Sequence, residues 1–275
     1  MAGSGTSADP YIVETWADFK TYVKQRGKYV VFVSDIEPTG SDTEGVVIPW
    51  AAESVDGDGH TIRNFRGYFT GGVSNDTFDE VKNLNFTNLD NRYNYLFTND
   101  STTGGKYVDI VNCKFEGYTR AVNLFYYGSV YFYCPRISRC SFNFRVGNGS
   151  FRLMLPYTSS SLSAQAQNCN IKLKYEGVAA DGTRDLINCQ SRNMLINIED
   201  GNNGTILLNQ IGDSIIIGNN VSIANDSTSN MAGAICYDSD NITVSGTLAS
   251  SRFKAMTNSE MKSISALQAV GFPIE

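Results

Sequence analysis

Histidine is almost absent: His60 is the one copy in 275 residues. A Ser-His-Asp or Cys-His nucleophile would have to be built on it. It sits in the turn-like run Val55-Asp-Gly-Asp-Gly-His60, and we read it as structural. Asp56 and Asp58 resemble the start of a calcium loop, but the later ligands and the closing Glu are missing. Asx-type turn bonds account for them without a metal. The six cysteines contain no Cys-X-X-Cys pair, which removes the common zinc frameworks. No metal and no cofactor is therefore expected. No apolar run approaches the length of a membrane span, so no membrane insertion is expected. The N-terminus lacks a basic region followed by an apolar core, so no secretory signal is read. A basic excess is missing too. Lys and Arg total 22 against 28 Asp and Glu, giving a net charge of −6, which argues against nucleic acid as a partner. The middle of the chain has no amphipathic helix pattern, which excludes the helical solenoids.

What is present is a repeat. The stretch Val108-Asp-Ile-Val-Asn-Cys-Lys-Phe115 returns in variants around Leu84, Cys140, Cys169 and Cys189. Aligned on Leu84, Cys113, Cys140, Cys169 and Cys189, the steps are 29, 27, 29 and 20 residues. Short β-like runs separated by Asn, Gly, Ser, Thr and Asp corners at this period read as a solenoid, one coil per repeat. The aligned cysteines alternate with polar neighbours and so should point inward. We expect a ladder of free, buried thiols, in keeping with a reducing compartment at folding.

Both ends differ from the middle. Thr15 can cap a helix carrying Trp16, Phe19, Tyr22 and Val23 on one face, ended by Gly27. We read it as a lid on the open end of the coil stack. Asn258 to Val270 has Met261, Ile264, Leu267 and Val270 in helical register, followed by Gly271 and Pro273. The expected organisation is an N-terminal lead-in strand and capping helix over 1–54, a β-solenoid over 55–250, and a helical docking tail over 251–275. The fold class is all-β, a single-stranded parallel β-helix with α-helical caps at both ends.

The run DGDGHTIRNF, Asp56 to Phe65, resembles the "DGNGHTIsnL" turn and strand of early coils in right-handed parallel β-helix proteins. The opening GSGTSADPYIVETWADF, Gly3 to Phe19, is similar to the G-T-x-x-x-P-Y-x-I lead-in and capping helix of such proteins in phage virions and on bacterial surfaces. The tail SEMKSISALQAVGFPIE resembles C-terminal segments of the same group. The resemblance implies a right-handed helix sense and a non-enzymatic structural or adhesive virion protein, associated with head, collar or tail. It implies contacts with other virion proteins and with host surface polysaccharide, and a homo-oligomer with a trimer among the options. The expected location is the virion, after synthesis in the host cytoplasm. The group also includes polysaccharide lyases, pectin-degrading hydrolases and glycan-cutting tailspikes, so a tailspike-type glycosidase or lyase is the alternative.

A glycosidase needs two carboxylates flanking the bond. Asp109 with Glu116, Asp181 with Asp185, and Glu199 with Asp200 are the available pairs. None forms the clustered Asp-Asp pattern of the pectin hydrolases, and no catalytic residue is assigned. The aromatic block Leu124 to Tyr133 offers rings on which sugars stack. Tyr126, Tyr127, Tyr131 and Tyr133 are the candidate carbohydrate-binding residues; the competing reading places half of these rings in the core.

Overall fold

A computed structural model describes residues 3–71, 80–93, 95–99, 106–120, 123–127, 133–147, 152–154, 165–177, 183–200, 204–219, 221–225, 233–244 and 252–273. One backbone event sets the coil. Asn83, Asn112, Arg139, Asn168, Asn193 and Asp213 all take a left-handed conformation, with φ between 43° and 55°. Asn and Asp tolerate this region better than other side chains. Each is followed by a buried residue: Leu84, Cys113, Cys140, Cys169, Met194 and Ser214. The two-residue corner turns the chain from one sheet into the next, as between Lys106–Val111 and Lys114–Thr119.

Repeating that corner produces a parallel β-solenoid with three sheets, whose strands are counted among the described residues. Sheet 1 has 11 strands, from Tyr11–Val13 through Lys106–Val111 to Ile242–Val244. Sheet 2 has nine, from Thr61–Arg63 through Lys114–Thr119 to Phe253–Met256. Sheet 3 has five, from Val46–Trp50 to Arg152–Met154. Strands pair in parallel with the coil before and the coil after, as Lys114–Thr119 does with Asn85–Asn91 and Ser141–Val146. Sheets 1 and 3 thus begin inside the segment 1–54, and sheet 2 continues into 251–275.

Inward side chains stack in columns because the register repeats coil by coil. Phe86, Phe115 and Phe142 lie ring over ring, with centroids 5.1 and 5.2 Å apart and planes within 8°. That spacing follows the strand separation of about 4.8 Å. Ile62 precedes the stack, and Ile171 and Ile196 continue it. One core cluster runs from Val13 to Ile242.

The thiol ladder is present with one correction. Cys113, Cys140 and Cys169 are free and buried at the corner position. Cys140 Sγ donates to the Ser138 carbonyl at 3.3 Å and accepts the Cys113 backbone N–H at 3.4 Å. The next rung is Met194, not Cys189. Ala166 pairs with Ser191, and the left-handed residue after Asn168 is Asn193, which puts Met194 in line with Cys169. The coil there is 25 residues long, and the 20-residue step aligned a strand residue with a corner. Ser214 then takes over the thiol's role: its hydroxyl donates to the Gly212 carbonyl at 2.7 Å and accepts the Met194 N–H at 3.3 Å.

Outside the corner, amide side chains bond along the axis. Asn112 donates to Asn83 at 2.8 Å, Asn83 to Asp56 at 2.9 Å, and Asn193 to Asn168 at 3.0 Å. Arg139 breaks the run.

Near the N-terminus, α1 (Trp16–Tyr22) starts on a capping box between Thr15 and Asp18. Its Phe19 meets the rings of Phe32, Trp50 and Phe69. Its Trp16 donates to Asp42 at 2.7 Å, and Lys20 pairs with the same carboxylate, tying down the short helix Gly40–Glu44. At the other end the continuous helix expected over 258–270 is split. Glu260–Lys262 is a 3-10 turn, and α2 spans Ile264–Ala269 with the Ser263 hydroxyl as its N-cap. Ser263 stops the first segment because its extended backbone is what an N-cap needs. Leu267 and Met261 form a second cluster with Cys236 and Met256, and Ile215 and Ile217 pack against it. Ile215 pairs with Cys236, while the alternating Ile216 belongs to the main core. The C-terminal segment therefore lies on the outward face of sheet 2 at its last strands.

Candidate functional site

A groove opens where sheet 2 turns towards sheet 3, and a β-bulge makes it. Phe115 pairs with Phe86 and Gly117 with Leu89, so Glu116 faces two residues, Thr87 and Asn88. Asn88 absorbs the extra length with φ 51°. Gly117 has φ 151°, and a Cβ there would run into the Leu89 backbone. Only glycine fits so close an approach, and the bulge bends the strand and redirects the side chains after it.

Beyond the bulge, Asp90, Tyr118, Arg145, Lys174 and Glu199 form one column in successive coils. Arg66 stands before it, its guanidinium Nη2 2.7 Å from Asp90. Arg92 and Arg120 lie beside the column in equivalent places; the Arg120 N–H donates to the Asn91 carbonyl at 2.7 Å. Arg66, Asp90, Arg92, Tyr118, Arg120 and Arg145 line an open groove of about 1030 Å³, with Thr43 and Glu44 at its rim. Gly45 joins this rim to a tyrosine group. Its Cβ position would lie 3.2 Å from the Tyr93 hydroxyl, and Tyr93 packs edge-on against Tyr68 at 4.9 Å.

The groove's charges are ordered. Asp90 accepts from Arg66 at 2.7 and 3.0 Å and from Arg92 at 3.0 and 3.1 Å. Burial pushes the Asp90 carboxyl up, but hydrogen bonds and charge from Arg92 and Arg66 outweigh it and hold it below its usual value. Glu116 is paired with Lys114 at 3.0 Å, and Arg145 reaches Glu176 at 3.5 Å. The Arg145 guanidinium also lies over the Tyr118 ring, 5.8 Å from its centroid. Glu44, 3.6 Å from Arg66, has a side chain 85% exposed, so solvent screens it strongly.

Of the carboxylate pairs read from the sequence, the two whose side chains are described are not brought together. Asp109 is on sheet 1, held by Arg136 through two bonds of 2.6 Å, while Glu116 is on sheet 2. Glu199 points outward to Lys174 at 2.8 Å, whereas its neighbour Asp200 is buried and accepts from the Gly204 N–H. Alternation along the strand separates them. Asp181 and the side chain of Asp185 lie outside the described residues. His60 is in the turn, its Nδ1 3.4 Å from Asp35. Asp56 makes the Asx bond to the Asp58 N–H at 2.9 Å. Among the described residues no group of three His, Cys, Asp or Glu is placed to hold a metal ion, and no helix is long and apolar enough to cross a membrane.

Of the tyrosine candidates, Tyr126 and Tyr127 belong to sheet 3 and Tyr133 to sheet 1. Tyr131, and the side chains of the other three, lie outside the described residues. The groove itself was missed by sequence reasoning. A signal existed: Arg66, Arg92, Arg120 and Arg145 recur at steps of 26, 28 and 25 residues, close to the coil length.

No family model matches this chain, and no curated protein matches it. Among solved structures it is similar to a putative immunoglobulin A1 protease from Bacteroides ovatus. That likeness has a TM-score of 0.41 and 14% identity, over 94% of this chain and 87% of that one. At this level it carries no inference about activity.

Proposed function

We propose that this chain is a non-enzymatic structural or adhesive protein of a phage virion, contacting other virion proteins and host surface glycans. The carrying observation is the state of the groove's acids. Asp90 sits between two guanidiniums that hold it ionised, and Glu116 is paired with Lys114. A glycosidase acid needs the opposite of the Asp90 setting, a carboxyl whose pKa is raised towards neutrality. The lead-in, turn and tail resemblances support the virion setting, and the oligomer stays part of the proposal. Glu116, opposite the bulge at Asn88 and beside the groove, is what favours the enzymatic alternative, since bulges recur beside active sites.

Size-exclusion chromatography with light scattering, run with candidate host envelope polysaccharide, separates the two readings. An unchanged polysaccharide peak with co-eluting protein is expected. A shift of that peak to smaller size would establish a depolymerase and end the non-enzymatic reading. The protein's own mass reports whether it is a trimer. Mass spectrometry of purified particles tests the location: its absence from them removes the virion assignment.

A further inference from the structure

We draw no further inference here: the strongest candidate, the partly exposed patch of Val47, Tyr68, Tyr93 and Tyr95 at sheet 3, carries no proposal because nothing in the structure shows what covers it.

Discussion

At the scale of single residues, the corner position decides most. A thiol suits it because it is small, apolar and still able to bond weakly with the backbone on either side. Cys140→Asp places a carboxylate between the buried rungs Cys113 and Cys169. It should destabilise by about 3–5 kcal/mol in denaturant titration. An unchanged midpoint would contradict the inward ladder. The thiols should also be inert: the hydrogen bond with the Cys113 side chain, together with burial, pushes Cys140 up to about 12. Asp42 shows the reverse shift. Hydrogen bonds from Lys20 and Trp16 hold its carboxyl below the usual value despite some burial. The folded state then binds this proton less tightly than the unfolded one. Its stabilisation is complete above the ordinary carboxylate pKa of about 4 and is lost as pH falls through the lower folded value. Melting curves across that window should show Asp42→Asn less stable than wild type near neutrality, with the gap narrowing as acid is added. A gap independent of pH would remove the charge from the explanation.

At the scale of elements, the C-terminal segment behaves as a strip laid on a sheet. Its contacts with Met256, Ile215 and Ile217 bury Cys236, whose thiol burial pushes up to about 11. Removing residues 257–275 should expose Cys236 to alkylation while Cys113, Cys140 and Cys169 stay protected inside the coils. Peptide mass mapping after iodoacetamide reads this directly. Protection of Cys236 in the truncated chain would mean that something other than this segment covers it. The helical register of Met261 and Leu267 was legible because period alone reveals a buried face. Its interruption at Ser263 was not, since serine is neutral in a helix and decisive only when its backbone becomes extended.

For the whole molecule, stability is a chain of neighbour contacts rather than one central core. Phe115 is the middle ring of three and touches both the coil before and the coil after. Phe115→Ala should cost about 3–5 kcal/mol, because parallel coils on both sides cannot close the gap. Hydrogen exchange should rise first in Asn85–Asn91 and Ser141–Val146, the strands that flank its own. A uniform rise along the solenoid would point to global unfolding instead.

The sequence by itself determined the coil, because a corner that needs a polar residue in the left-handed region, most often Asn, and then a buried one leaves that pair at a recurring step. It also marked both helices, through caps and apolar period. It misplaced one rung, because Cys189 looks like the other cysteines and only strand pairing shows that Met194 is in line. It left the groove unseen for the same kind of reason. Glu116, Arg120 and Arg145 are ordinary surface charges along the chain. What gathers them is the bulge at Asn88, the close approach at Gly117 and the register between coils. Those are properties of paired strands, and no local stretch of sequence carries them.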